Sequence, residues 1–247
     1  MQGNSKDHLL FFLHKLENKE PFSIIRPNDG EYMVLQGMNF KNIDHWHFSG
    51  QGRLIQDLKE SIEKIIRHPN GYVGTSCPSC SQEIFDYYRS QFPGLSQKHT
   101  YGNLFCNKNW APFIEFLNKT GLPFYYVGPG QNPCELLNVI DRYFIEEFLL
   151  NKWDTVAEQT IESLTQWVAG KNGSVFLFSA GPLSKIFIAI LSEKFPESTF
   201  IDVGSTLDIF MKGQTNRLYI YSGQQYTNQV CDFQHGHSID DQPFNCA

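Results

Sequence analysis

Short apolar runs alternate with longer amphipathic segments along this chain. Six runs have the length and the β-branched or aromatic content typical of buried strands: 22–26, 72–75, 123–127, 174–179, 199–203 and 217–222. Four segments between them carry apolar residues at helical spacing or helix-start signals: 53–67, 109–120, 153–169 and 182–195. Strands that alternate with helices predict an α/β fold with a mostly parallel sheet and helices on both faces.

A single Rossmann-like domain is predicted to cover most of the sequence. The 247 residues contain no internal repeat and no linker, so we place this domain at 1–222. The stretch 223–247 is polar, but Tyr226, Phe233 and Phe244 give it enough apolar surface to dock. We predict a tail or a lid that folds across the site and becomes ordered when a ligand binds.

Composition and charge exclude several classes of protein. With 41% hydrophobic and 19% charged residues, the chain is expected to be globular. Its 20 basic and 26 acidic residues form no basic stripe, so we expect no nucleic-acid partner. The apolar stretch 9–13 is too short for a signal peptide, and polar residues interrupt 175–191. We therefore expect a soluble, cytoplasmic protein without a transmembrane segment.

An acidic motif follows the first predicted strand. Asp29 and Glu31 flank Gly30 directly after the strand breaker formed by Pro27 and Asn28, which predicts a short loop. Ligands of open α/β sheets bind outside the carboxyl ends of the strands, where two carboxylates can hold a hard divalent cation and a phosphate. An ordinary Asn-Asp-Gly turn is the structural alternative.

A second polar turn follows the strand at 174–179. Ser179, Ala180 and Gly181 lead into Pro182, which suits the first position of a helix. Free backbone N–H groups and the helix dipole at such a turn favour a diphosphate, and Ser184 offers a further hydroxyl. The next strand ends with Asp202 and Gly204, so three turns on one rim carry groups compatible with phosphate or metal.

These segments resemble the bacterial glycosyltransferases of the GT-D fold, a family once catalogued as a domain of unknown function. Its first strand ends in an Arg, two small or polar residues and Asp-Gly-Glu, as in Ile25-Arg-Pro-Asn-Asp-Gly-Glu31. The Gly-Pro turn in Phe178-Ser-Ala-Gly-Pro182 and the strand end Ile201-Asp-Val-Gly204 match its C-terminal half. The resemblance extends from Phe22 to about Leu207 and implies a GT-D-like domain.

The resemblance implies transfer of a sugar from a UDP-sugar, such as UDP-glucose, to a glycan or glycoprotein acceptor. It places Mn²⁺ or Mg²⁺ on the catalytic pair Asp29 and Glu31, where the cation would neutralise charge on the leaving diphosphate. The residues expected to bind the nucleotide sugar are Arg26, Asn28, Gly30, Ser179, Ala180, Gly181, Pro182, Asp202 and Gly204. Glu31, Asp202 or a histidine is the candidate general base.

Two other functions are compatible with the sequence. The segment Tyr125-Tyr-Val-Gly-Pro-Gly130 is similar to the glycine loop of S-adenosylmethionine-dependent methyltransferases, although a third glycine is missing. A nucleotide-sugar-binding domain without turnover is the non-enzymatic alternative. Binding of UDP or of S-adenosylmethionine discriminates between these functions.

Cysteines and histidines offer weaker signals. Six cysteines are too few for a disulfide framework, so most are expected to be free thiols. Cys77-Pro-Ser-Cys80 matches a redox pair or half of a zinc site, but the sequence contains no second Cys-x-x-Cys. The pairs His45/His47 and His235/His237, the latter near Cys231, are interpreted as surface or packing features.

Overall fold

The computed structural model describes residues 2–41, 47–50, 52–130, 132, 137–221, 224 and 226–244. The helices of this part of the chain are α1 (Ser5–Glu17), α2 (Asp29–Leu35), α3 (Leu54–Arg67), α4 (Gln82–Gln91), α5 (Leu95–Lys98), α6 (Trp110–Lys119), α7 (Trp153–Ala169), α8 (Pro182–Lys194) and α9 (Asp208–Met211). The strands are β1 (Ser23–Ile25), β2 (Asn39–Lys41), β3 (His47–Ser49), β4 (Gly71–Thr75), β5 (His99–Tyr101), β6 (Phe124–Gly128), β7 (Val139–Phe144), β8 (Val175–Phe178), β9 (Thr199–Asp202), β10 (Gln229–Asp232) and β11 (Gly236–Ile239).

A seven-stranded parallel sheet organises the fold. Its strand order is β5-β4-β1-β9-β8-β6-β7, and each neighbouring pair runs parallel. The registers Ser23↔Phe200 and Phe178↔Asp202 bring the carboxyl ends of β1, β8 and β9 to the same edge. The first strand of the sheet therefore lies beside the last one, and the three predicted polar turns meet at the centre of this edge.

Helices cover both faces of the sheet, as predicted. Along β8, Phe176 and Phe178 pack into one apolar core with residues of α3, α7 and α8. Leu177, which lies between them, packs into a second core with residues of α1 and α6. Successive side chains of a strand point to opposite faces, so the continuous apolar runs of the sequence are explained by a sheet that is buried on both sides.

Five of the six predicted strands and all four predicted helices are confirmed to within two residues at each end. The strand predicted at 217–222 is wrong, because Leu218–Ile220 form a 3₁₀ turn. Leu218 is 52% exposed and Tyr219 faces a cleft, so this apolar run contributes to a rim and not to the sheet. Helix α1 was not predicted, although an Asn4 cap with Asp7 at its third position marks its start.

The loop predicted for the acidic motif is also wrong. Asp29 is the first residue of α2, and Glu31 lies in the first turn of that helix. The backbone N–H of Asn28 donates to Glu31 Oε2 at 3.0 Å, and Tyr32 N–H donates to the Asn28 carbonyl at 2.8 Å. These bonds use backbone groups at the helix end, so the motif forms a helix start.

The described part of the C-terminal stretch forms an antiparallel hairpin, β10–β11, that packs on α1. Cys231 N–H donates to Ser5 Oγ at 3.0 Å, and Lys6 Nζ lies 3.1 Å from Asp240 Oδ2. A lid role for this stretch stays a prediction, since it requires the hairpin to leave these contacts. The boundary at 222/223 also stays a prediction. No helix in the described ranges combines the length and apolar character needed to cross a bilayer.

We predict that the fold is less stable in acid, because His8 and His99 are buried. Burial is the largest cause that lowers the pKa of His8 to about 4 and that of His99 to about 3. Between pH 6.5 and these values the unfolded chain binds more protons, so stability falls as the pH falls, by up to about 1.4 kcal/mol per pH unit for each histidine. Urea unfolding at pH 7 and pH 4.5 measures this loss.

The variant His8→Gln/His99→Gln removes both titrating groups and should show a shallower decrease between the two pH values. His235→Gln is the matched control, because His235 is exposed. A double variant with the same pH dependence as the unmodified chain would contradict the assignment.

Candidate functional site

A cleft of 520 Å³ opens at the carboxyl edge of the sheet. Its volume lies within the ordinary range for small-molecule sites. All eleven site residues expected from the sequence line it: Arg26, Asn28, Asp29, Gly30, Glu31, Ser179, Ala180, Gly181, Pro182, Asp202 and Gly204. The structure therefore brings together turns that are far apart in the sequence, and their roles in binding and catalysis remain predictions.

A buried lysine joins two of the predicted carboxylates at the floor of the cleft. Lys185 Nζ lies 2.8 Å from Glu31 Oε1 and 2.9 Å from Asp202 Oδ2. A third bond runs from this ammonium to the Gly181 carbonyl at 3.2 Å. All three N–H donors of Lys185 are thus used, and the side chain is only 5% exposed. Lys185 therefore connects α8 to the first turn of α2 and to the end of β9.

Electrostatics keep Lys185 protonated. Burial opposes the charge and would lower the pKa of this ammonium, but Asp202 and Glu31 outweigh burial, so the pKa lies above its ordinary value. The group of three carries two negative charges and one positive charge. A buried group of charges is stable only when the charges are close together and hydrogen-bonded. Removal of one of the three side chains would leave a buried charge without a partner of opposite sign.

Arg26 supplies a second buried cation beside this group. Its backbone N–H donates to Asp202 Oδ2 at 2.9 Å, and its Nε donates to the Asp202 carbonyl at 2.6 Å. Nη1 donates to the Gly102 carbonyl at 2.9 Å. The guanidinium is therefore fixed across the ends of β1, β5 and β9, and it lines the cleft as expected.

Gly204 is required for the position of that guanidinium. Its φ is +53°, and a Cβ at this position would lie 2.7 Å from Arg26 Nη2. The backbone N–H of Gly204 also donates to Asp202 Oδ1 at 3.1 Å. A side chain here would be strained and would displace Arg26, so glycine suits this turn for two independent reasons.

The turn before α8 uses most of its own backbone donors. Ala180 N–H donates to Ser184 Oγ at 2.8 Å, and Ser184 N–H donates to the Gly181 carbonyl at 3.1 Å. Leu183 N–H donates to the Ala180 carbonyl at 3.2 Å. Within this turn, Gly181 keeps an N–H without a partner among the described residues. The Ser184 hydroxyl stabilises the turn and is not among the groups that line the cleft.

The carboxylates differ in their capacity to hold a divalent cation. Both oxygens of Glu31 and both of Asp202 accept hydrogen bonds, and a cation placed on them would meet the Lys185 ammonium. Asp29 is exposed in the cleft, and its carboxylate accepts no hydrogen bond from the described residues. One carboxylate together with ligand phosphates and water is a usual set for Mg²⁺. Asp29 is therefore suited to bind a cation, whereas both carboxylate oxygens of Glu31 already accept hydrogen bonds.

Comparisons with known proteins give a match at the level of the fold. One solved structure, described as a new glycosyltransferase (DUF1792) from Streptococcus sanguinis, superposes with a TM-score of 0.54 at 15% identity, over 83% of this chain and 84% of that one. A selenomethionine-substituted structure of domain of unknown function 1792 gives 0.50 at 14% identity, over 95% and 90%. This chain has their fold. No family model matches its sequence, and no curated protein matches it either.

The shared fold confirms the architecture that the sequence resemblance implied. In contrast, the glycine loop predicted for a methyltransferase does not form an open loop. Gly130 packs so closely on the backbone of Met211 that a Cβ would overlap it, and Gly128 similarly abuts the Tyr126 hydroxyl. Gly130 therefore serves the packing of the segment after β6 on α9, and Gly128 makes room for a side chain of its own strand.

Sequence reasoning missed several residues of the cleft. The rim carries cations and acids from segments without a recognisable motif: Lys41, Glu146, Glu147, Asp208, Lys212 and Arg217. Lys185 is one of the polar residues that interrupt the apolar stretch 175–191, and no role was predicted for it from the sequence. A signal was present, because Lys185 is the single charged residue in the first half of a helix whose other residues there are apolar or small.

Proposed function

We propose that this protein is a glycosyltransferase that moves a hexose, such as glucose, from a UDP-sugar to a hydroxyl group of a glycan or glycoprotein. The observation that carries the proposal is that the start of α2 with Asp29, the turn with Gly181 and the end of β9 with Asp202 line one cleft, in a fold shared with a solved glycosyltransferase. The cleft lies outside the carboxyl ends of parallel strands, where nucleotides bind in such sheets.

Loss of the UDP group leaves negative charge on the β-phosphate, and the cleft offers positive charge for it. Arg26 lies at the centre of the edge, and Lys41 and Lys212 lie at the rim. We propose that Asp29 holds Mn²⁺ or Mg²⁺ together with the diphosphate. Such a cation neutralises charge on the leaving group as a Lewis acid. The Gly181 N–H provides a further donor for a phosphate oxygen.

Glu31 and Asp202 have a different role in this proposal. Because both carboxylates are engaged with Lys185, we propose that they position α2, α8 and the turn after β9. Asp29 then projects from a fixed helix start, and Arg26 is held against the strand ends. Fixed donors and charges cost little reorganisation during the reaction, which is the main source of electrostatic catalysis.

Binding of UDP tests this function. We expect saturating UDP with Mn²⁺ to raise the melting temperature of the full chain, because a ligand at 100 times its Kd stabilises by about 2.7 kcal/mol. For a chain of this size that free energy corresponds to a shift of about 5–10 °C. UDP without metal should give a smaller shift, and S-adenosylmethionine should give none.

Turnover separates an enzyme from a domain that only binds. A panel of UDP-hexoses should include one donor that is hydrolysed slowly in the absence of acceptor, with UDP released. Stabilisation without UDP release from any donor would support the non-catalytic alternative. A shift with S-adenosylmethionine and none with UDP would contradict the proposal.

A further inference from the structure

Three cysteine thiols from two distant segments meet beside the cleft. Cys80 Sγ lies 3.4 Å from Cys77 Sγ and 3.7 Å from Cys231 Sγ, and all three sulfur atoms lie within 4.8 Å of one another. No pair among them forms a disulfide. The sequence offered only the Cys77/Cys80 pair, and the fold supplies a third thiol from β10.

A histidine completes this group. His237 Nδ1 lies 3.9 Å from Cys80 Sγ. His237 pairs directly with Cys231 across the β10–β11 hairpin, and opposite residues of an antiparallel pair project to the same face. The hairpin therefore presents one thiol and one imidazole toward the turn that carries Cys77 and Cys80.

The distances from Cys80 Sγ to the other three ligand atoms suit a tetrahedral zinc ion. Zn–S bonds of about 2.3 Å and Zn–N bonds of about 2.0 Å place ligand atoms about 3.8 Å (S to S) and about 3.6 Å (S to N) apart. The observed distances of 3.4, 3.7 and 3.9 Å surround these values. A disulfide would need two sulfur atoms about 2.05 Å apart, which is much closer than any pair here.

Close packing around the cluster holds the β10–β11 hairpin against the turn that carries Cys77 and Cys80. Gly236 has a φ of +84°, and a Cβ there would overlap the Ser79 side chain. Phe233, in the hairpin turn, stacks on Tyr101 with ring centroids 4.0 Å apart. A glycine and an aromatic stack therefore bring Cys231 and His237 onto the Cys77–Cys80 turn.

Neighbouring groups also suit metal-bound thiolates. Asn103 Nδ2 lies 3.4 Å from Cys80 Sγ and 3.7 Å from Cys231 Sγ, so one amide can donate to two sulfur atoms. Donors of this kind stabilise the charge of thiolate ligands. Cys77 and Cys231 are buried, whereas Cys80 and His237 are exposed, so an ion can enter from solvent.

We propose that Cys77, Cys80, Cys231 and His237 form a structural zinc site. Four protein ligands leave no open position, which is the arrangement of structural and not of catalytic zinc. The ion would join the C-terminal hairpin to the segment after β4. Asn103, which contacts two of the thiols, also lines the cleft, so the site would fix one wall of that cleft. With zinc bound, the hairpin is a fixed part of the fold.

Metal analysis of the full chain tests the proposal. Chain purified without chelator should contain about one zinc per molecule by mass spectrometry of the metal, as a closed site of four ligands requires. Replacement of zinc by Co²⁺ should give the visible absorption of a tetrahedral thiolate complex. This second measurement uses the unmodified sequence, so it does not depend on whether variants fold.

Matched variants identify the ligands. Cys231→Ser and His237→Asn should each lower zinc retention at least tenfold after a wash with chelator. Cys106→Ser and His235→Asn should retain zinc as the unmodified chain does, because neither side chain contacts the cluster. A chain with reduced thiols that binds neither Zn²⁺ nor Co²⁺ would overturn the proposal, as would a Cys77–Cys80 disulfide in the purified protein.

Discussion

Replacement of Lys185 by methionine should lower the free energy of unfolding by about 3–5 kcal/mol, which is the usual cost of breaking a buried ion pair. Glu31 and Asp202 would then remain in the floor of the cleft without the ammonium that lies 2.8 and 2.9 Å away. Methionine keeps most of the side-chain volume, so the loss reports on charge and not on a cavity. Urea unfolding monitored by circular dichroism measures it.

Two comparisons make this result specific. Lys64→Met removes a lysine that pairs with Glu193 at the protein surface. This change should lower the free energy of unfolding by less than about 1 kcal/mol. Adding Glu31→Gln and Asp202→Asn to Lys185→Met removes all three charges, and it should recover part of the lost stability. If Lys185→Met is no more destabilising than Lys64→Met, the buried charges do not depend on one another as we propose.

Asn in place of Asp29 should reduce hydrolysis of the best UDP-sugar donor about 100-fold or more, with the free energy of unfolding unchanged within about 0.5 kcal/mol. Asp29 is exposed and accepts no hydrogen bond from the described residues, so the fold does not depend on its charge. A cation ligand acts on the leaving group and is therefore expected to affect rate strongly. The measurement is UDP release over a range of Mn²⁺ concentrations.

Glu31→Gln provides the contrast with Asp29→Asn. Because Glu31 is paired with Lys185, its replacement should lower stability as well as activity, and extra Mn²⁺ should not restore it. Asp86→Asn, which changes an exposed acid of α4, should affect neither quantity. Full activity of Asp29→Asn at low Mn²⁺ concentration would exclude Asp29 as a ligand of the cation.

Much of the candidate site could be predicted from the pattern of residues in the sequence. Ser179 follows β8 and Asp202 is the last residue of β9, and both lie in the cleft as expected. The prediction succeeded because parallel strands end at the same edge of the sheet, so the residues that follow them lie on one rim. The acidic motif was placed correctly in space, although its helical conformation was missed.

The sequence by itself determined the class of fold and the edge at which the polar turns meet, because periodicity and chain breakers act locally. Only the tertiary structure decided which side chains touch. Lys185 reaches both Glu31 and Asp202 because β9 lies between β1 and β8, and Cys231 and His237 reach Cys77 and Cys80 because the hairpin docks on α1. Strand order and docking depend on packing between distant segments, which no local pattern encodes.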